Sequence, residues 1–516
     1  MSISLQRAPA RPADAGQGTP PARPRRARSW TRAGWACFAF TVPAWLYVAG
    51  FYLYPLASSV RMGFQNYTVA SFYTGVAPFV GWGNYQAVIQ HSDFGRTMFN
   101  TAVFTAGSLL FQFGIGLALA EFFNRRFPLG GVLRSLLLVP WLLPLAVSGT
   151  AWRWILDTDS GVLNYALQHL HLIGAPIPWL ASTHDSLIAV ILVNIWVGIP
   201  FNMVILYGGL QGIPGELYEA AALDGAGAWR RFRHLTLPLL RPVTAVVLTL
   251  GLIYTVKVFD VIMVLTQGGP AGSSQTLTVF AYNPVLPGAG IRPRGRRRQP
   301  AHRGGRGLRG DLPAGHPRAA AGPTMSATTM WPGHRARRTR PVLSTVIGVL
   351  ILAVLLFPLY WMLNASLLPS SDLVQSSPSW IPLHGSLQGY RNAISSQGGH
   401  LAISLLISCG SVLVTLGVAA PAAFGLSLQR APLGRSLTFA LLIAQMIPGI
   451  VMANSLYIAA NKLGLIDSPW GLILADSTLC IPFAVLILSA FMGSIPRALY
   501  EAALVDGPPA SASSGR

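Results

Sequence analysis

Residues 186–210 read SLIAVILVNIWVGIPFNMVILYGGL, 25 positions without one Asp, Glu, Lys or Arg. A helix needs about 20 such residues to cross the hydrocarbon core of a bilayer. Nine comparable runs occur, at about 35–56, 98–120, 135–152, 186–210, 243–265, 342–364, 401–426, 437–459 and 471–492. The 516 residues are 52% hydrophobic and only 10% charged, with mean hydropathy +0.49, too apolar for a soluble globular protein. The predicted fold is all-α, a polytopic transmembrane helical bundle lying in the lipid bilayer.

The net charge of +21 invites a nucleic-acid reading. Its location argues otherwise. Residues 1–32 carry seven Arg and one Asp, and residues 291–340 carry thirteen Arg and one Asp, so +18 of the +21 sits in a tail and a linker. Neither stretch has an interleaved aromatic platform. The arginines serve as a topology signal that holds the N-terminus in the cytoplasm, and no nucleic acid is implied. Residues 1–32 are expected to be disordered.

Between the fourth and fifth runs lies a polar island, IPGELYEAAALDGAGAWRRFRHLTLP, residues 213–238. Its composition predicts a helix over 216–223, a break at Asp224-Gly225, and a second helix over 228–237 that ends at Pro238. Glu219-Ala220-Ala221, three residues, Gly225, nine residues, then Leu235-Thr236-Leu237-Pro238 resembles the EAA loop of ABC-importer permeases, with Leu235 where that family has Ile. A second copy, IPRALYEAALVDG at 495–507, supplies Glu501, Ala502, Ala503, Asp506 and Gly507 and then stops matching at 508–516. By this resemblance Glu219, Ala220, Ala221, Asp224, Gly225 and their second-copy counterparts form the docking surface for cytoplasmic ATPase subunits. Leu235, Leu237 and Pro238 close the first loop. Arg230, Arg231, Arg233 and Arg241 flank it, so the positive-inside rule independently puts it in the cytoplasm.

Other stretches extend the likeness. WRWILDTDSGVLN at 152–164 and the Gly-Gly-Pro turn at 268–270 are similar to the carbohydrate branch of these permeases. FPLYWMLNASLLPSSDLVQSSPSWIPLHGSLQGY at 357–390 and AAFGLSLQRAPLGRSLTFALLIAQMIPGIV at 422–451 resemble the partner subunit of maltose-type importers. The expected organisation is therefore a tail at 1–32, a permease half at 33–283 with about five spans, a linker at 284–340, a second half at 341–507 with about four spans, and a tail at 508–516.

The linker is anomalous. A chain that starts inside and crosses five times emerges outside, where nine Arg then follow by position 318. Either this is a real extracytoplasmic basic linker or, as favoured here, the reading frame slips near Asn283 and Met325 starts a second protein. Residues after Gly507 resemble another slip. By the family's pattern the sixth span of the first half and the last two of the second are missing, and a single chain of this kind is not expected to transport alone.

Catalytic chemistry finds no support. The ten His are scattered, no HEXXH occurs, and no nucleophile constellation is present. The two lysines, Lys257 and Lys462, follow Val256 and Asn461, so there is no Gly-Lys-Ser/Thr to hold nucleotide. ATP and Mg are thus expected on a partner ATPase, with no catalytic or metal residue in this chain. Cys37, Cys409 and Cys480 are expected to be small buried hydrophobes. Polar and aromatic residues within the runs, Asn194, Trp196, Asn202, Tyr254, Gln445, Asn454 and Tyr457, are candidates for a sugar path, although a bundle amide more often serves helix packing.

The resemblance implies an importer permease in the cytoplasmic membrane, carrying a carbohydrate or related polyol received from an extracytoplasmic solute-binding protein. A secondary transporter built from two repeats is the alternative; it would need no ATPase-docking loop. A membrane-embedded enzyme would need an intramembrane acid or metal cluster, and none is visible in the sequence.

Overall fold

A computed structural model describes residues 32–68, 71, 76–282, 341–369, 379–382, 385–427 and 433–493. Among the described residues seven helices are long and apolar enough to cross a membrane, and two sharply bent pairs each make one more. These nine correspond one to one with the nine apolar runs.

The first half contains α1 (Arg32–Val48), α2 (Tyr54–Gly63), α3 (Phe94–Phe123), α4 (Gly130–Leu136), α5 (Val139–Leu142), α6 (Leu145–Ile155) and α7 (Ser186–Gln211). It continues through α8 (Gly215–Leu223), α9 (Ala228–Arg231), α10 (Leu237–Val256), α11 (Asp260–Leu265) and α12 (Leu277–Tyr282). The second half supplies α13 (Pro341–Leu367), α14 (Gln388–Ser427), α15 (Gly434–Met446), α16 (Gly449–Lys462) and α17 (Pro469–Gly493).

Two spans expected to be continuous are broken, and by the same device. Pro144 denies its predecessor the helical region, so Leu143 is extended at φ −74°, ψ 143°, and the chain turns by 95° before α6. Pro448 does the same to Ile447, φ −77°, ψ 124°, with a turn of 107°. The run at 243–265 also fails as one helix. It stops at Val256, passes through irregular Lys257, Val258 and Phe259, and resumes at Asp260. No Pro or Gly marks this break. The Val258 carbonyl it frees accepts a hydrogen bond from the Thr278 hydroxyl at 2.6 Å.

The loop at 213–238 corrects a further expectation. The first helix and the Gly225 turn, at φ +77°, form as expected. The second does not end at Pro238. It opens into a π-turn over Phe232–Thr236 and runs on into α10, with Pro238 in the first turn, where a missing N–H costs little. A π-turn at Ala49–Leu53 precedes Pro55 in the same way. The run expected from 401 begins earlier, at Gln388.

The packing units differ from the order of the chain. α1 leaves its own half and packs on α14 and α15, where Ala44 joins Ala419 and Ala422 in one cluster, all fully buried. Small residues let these backbones approach: a Cβ on Gly425 would lie 2.6 Å from the Cys37 carbonyl oxygen. Tyr47 donates to the Leu474 carbonyl at 2.5 Å, and Tyr52 donates to that of Thr478. Reciprocally, α13 packs on the first half. Its Leu352 joins Leu117, Leu137 and Met203, and its Trp361 joins the cluster around Trp152 and Ile262. Each half thus holds the first span of the other.

Cys37 is buried as expected, but Cys409 and Cys480 are exposed. Cys480 lines the central cavity described next.

Candidate functional site

All three helix breaks converge on one cavity of about 900 Å³ between the two halves. Leu143 and Leu145 reach it from the first break, Ile447 and Gly449 from the second, and Lys257 with Phe259 from the third. Asn194 and Asn202 lie near the middle of α7 and Thr415 near the middle of α14, which sets the cavity at mid-depth in the bundle.

Its walls are held by close fits. The Gln112 amide donates to the Asn194 carbonyl at 2.8 Å and lies flat over Gly198, where a Cβ would sit 2.3 Å from its Cδ. Asn202 donates back to the Gly198 carbonyl at 2.9 Å and fits against Gly116, where a Cβ would be 2.6 Å from its own. Both glycines are therefore needed to seat an amide at the cavity. Trp141, Phe201 and Tyr254 form an aromatic wall, with Trp141 and Phe201 centroids 5.8 Å apart and Phe201 edge-on to Tyr254 at 5.8 Å. Lys257 stands beside it, Nζ 4.8 Å from the Tyr254 ring centroid and 3.1 Å from the Gln445 carbonyl oxygen of the other half.

Of the sequence-predicted path residues, Asn194, Asn202, Tyr254 and Gln445 meet here. Trp196 does not. It is 6% exposed, packs edge-on to Trp152 at 5.7 Å, and donates its indole N–H to Leu355 on α13 at 2.7 Å. Tyr457 lines a neighbouring cavity of about 1130 Å³, walled by α16, α17 and by Gly50, Phe51 and Tyr54, which shares Gly449, Ala453 and Leu479 with the central one. The Asn454 side chain lies outside the described residues, as do Glu501, Ala502, Ala503, Asp506 and Gly507. Sequence reasoning missed Gln112, Trp141, Phe201 and Lys257. Lys257 carried a signal, an isolated cation inside an apolar run.

A second surface lies at the end of α7. Helix α8 buries none of its residues, and Glu219, Ala220, Asp224 and Gly225 are exposed. Leu223 is 89% and Trp229 69% exposed, a concentration of apolar surface suited to a partner. The Tyr218 and Thr236 hydroxyls, 3.0 Å apart, tie α8 to the π-turn. Leu235, Leu237 and Pro238 are half-buried above fully buried Leu240. The 26-residue α7 separates this surface from the opposite end of the bundle by about 39 Å.

At that opposite end the 266–278 turn docks onto α3. Gln267, Gly268, Gly269, Ala271 and Gly272 all have positive φ. Asn100 donates to the Gly272 and Gln275 carbonyls at 3.0 and 3.2 Å, and the Ser186 and Ser273 hydroxyls lie 2.7 Å apart. Nearby, partial burial pushes the Asp157 carboxyl up, but hydrogen bonds from Ser160 N–H, Ser160 Oγ and Asp159 N–H outweigh it and hold the group below the usual carboxylate range.

A multi-pass bundle with a cavity at broken helices between two halves, and an uncovered apolar helix at one end, has the architecture of a membrane transporter. Residues 112–285 match the family described as binding-protein-dependent transport system inner membrane component. The chain is 38% identical over 206 residues to the trehalose/maltose transport system permease of Thermococcus litoralis, covering 40% of this chain and 69% of that one. It is 32% identical over 293 residues to the diacetylchitobiose uptake system permease of Streptomyces coelicolor, covering 55% and 87%. Among solved structures, a bacterial ABC transporter involved in the import of the acidic polysaccharide alginate matches at TM-score 0.42 and 22% identity, over 48% of this chain and 83% of that one. The chain belongs to the binding-protein-dependent transport system inner membrane components, the membrane-spanning permeases of ABC importers.

Proposed function

We propose that the chain carries a carbohydrate or related polyol across the cytoplasmic membrane, with the cavity between its halves as the solute path. The observation that carries this reading is the cavity itself. Its volume suits a small ligand. Its aromatic wall and seated amides offer the stacking and hydrogen bonding that a sugar requires. The two named relatives handle trehalose or maltose and diacetylchitobiose, which supports the same class.

In this reading the N-terminus is cytoplasmic and the helix bearing Glu219, Ala220 and Ala221 seats in a cytoplasmic ATPase that holds ATP and Mg. Its counterpart, with Glu501 and Gly507, does the same for the second half. A solute-binding protein delivers the sugar to the opposite end. Closure of the ATPases pushes on the two loops and shifts the bundle between outward and inward access. The exposed Leu223 and Trp229 are what such a seat would cover. The stretch 284–324 is out-of-frame text ahead of a second permease half that starts at Met325, which resequencing of its codons tests directly.

The chain as written is not expected to transport alone, so the functional test is uptake of labelled sugar by vesicles holding its two halves in restored reading frame, their cognate ATPase and their binding protein. Uptake that needs all three and ATP is the expected result. Uptake driven by an ion gradient, with no ATPase present, would overturn it.

A further inference from the structure

The central cavity holds a cation and a carboxylate that do not neutralise each other. Lys257 and Asp260 both line it. Among the described residues the ion pairs of 4.0 Å or less join only His91 to Asp93 and His184 to Asp185, so Lys257 and Asp260 stand apart. The break in the helix separates them: Lys257 sits on irregular chain and Asp260 begins α11, so the two share no helical face. Of the three donors on an ammonium, Lys257 uses one, on the Gln445 carbonyl oxygen. Asp260 is exposed to the cavity and its carboxylate can only accept.

An ionisable residue inside a membrane bundle is costly to keep there and marks a solute or ion pathway. Two of opposite sign, both accessible and unpaired, narrow the chemistry of what passes. An anionic solute drawn to Lys257 brings its charge against Asp260, and a cationic one has the converse difficulty, in surroundings where screening is weak. A hydroxyl suits both groups, because its oxygen accepts from the ammonium while its proton is donated to the carboxylate. A polyhydroxylated ring offers separate hydroxyls to the two groups, both of which line the same cavity. The aromatic wall of Trp141, Phe201 and Tyr254 then faces the apolar side of the ring.

We propose that Lys257 and Asp260 form a two-sign clamp that binds an uncharged, polyhydroxylated solute and selects against charged sugars. The inference rests on the carbohydrate reading above and sharpens it to neutral members of that class.

The test uses the full chain purified in detergent and equilibrium binding of radiolabelled maltose, trehalose, diacetylchitobiose and, as the anionic probe, digalacturonate. At least one neutral sugar should bind more tightly than digalacturonate. Lys257→Met and Asp260→Asn should each weaken it roughly ten- to hundred-fold, the range of a hydrogen bond to a charged group. Lys257→Arg should recover much of the loss. Lys462→Met, at the other cavity, should change nothing, and equal melting temperatures would show that all variants are folded. Neutral-sugar binding unaltered by Lys257→Met and Asp260→Asn, or tighter binding of digalacturonate than of every neutral sugar, would overturn the clamp while leaving the carbohydrate reading intact. Binding of none of the four by the unsubstituted chain would overturn both.

Discussion

The indole N–H of Trp196 on α7 donates to the main-chain carbonyl of Leu355 on α13 at 2.7 Å, across 159 positions of sequence. The bond fastens the first span of the second half to the first half. Trp196→Phe keeps a ring in the pocket and removes the donor. It should cost about 1 kcal/mol, the usual net worth of one such bond, seen as a lower melting temperature in detergent. Sugar affinity should not move, because the residue is absent from the cavity lining.

Gly198→Ala tests the opposite case. A helix gains up to about 1 kcal/mol from the exchange, but the new methyl displaces Gln112 and breaks its buried bond to Asn194, a loss of about 1–3 kcal/mol. Net stability should fall by no more than about 3 kcal/mol. Solute binding should fall further, because an amide at the cavity wall has been unseated. Isothermal titration alongside thermal unfolding separates the two effects.

Gly425→Val acts on the exchanged span α1. The nearest obstacle is the Cys37 carbonyl of the backbone, which cannot swing aside as a side chain can. Overpacking of this kind costs about 1–3 kcal/mol. With a protease site placed in the 284–340 stretch, the cleaved halves of the unsubstituted protein should co-elute on size exclusion. Those of the variant should separate at lower detergent or denaturant stress.

Leu223→Asp should leave the fold untouched, since the side chain is 89% exposed, and surface changes of this sort stay within about 0.5 kcal/mol. It should abolish co-purification with the cognate ATPase. A retained complex would move the docking surface elsewhere.

Asp157 gives a pH-dependent effect. Its carboxyl lies below the ordinary range because three hydrogen bonds favour the ionised form. The stabilisation is therefore complete above the unfolded value of about 3.9 and is lost as pH falls through the lower folded one. Asp157→Ala should lower the melting temperature at pH 7, and the difference from the parent should shrink towards zero below about pH 3. A difference that persisted at low pH would assign the effect to packing.

Much of the architecture was legible because span length is set by the bilayer and not by distant contacts. The run at 186–210 and the helix Ser186–Gln211 differ by one residue. The bends at Pro144 and Pro448 carried a local signal that hydropathy passes over, since the apolar neighbours on either side, such as Leu143 and Leu145, keep the run's average high. The break at Lys257 has no local breaker at all. It is held from outside by Thr278, twenty residues on, so it follows from tertiary structure. The same limit governs the site: Asn194 and Trp196 are equivalent in a linear reading, and only the placement of α13 makes one a cavity amide and the other a strut.

The exchange of first spans also sets a timetable. Tyr47 leaves the ribosome well ahead of Leu474, whose carbonyl it bonds across 427 residues. At about 5–20 residues per second that interval is roughly 20 to 85 seconds. Throughout it, the alanine-rich face of α1 has lipid or a provisional neighbour against it, and release to its final seat must wait until α17 has been inserted. In a continuous chain the seating of α1 is therefore paced by translation, because the helix is made long before the partner that holds it.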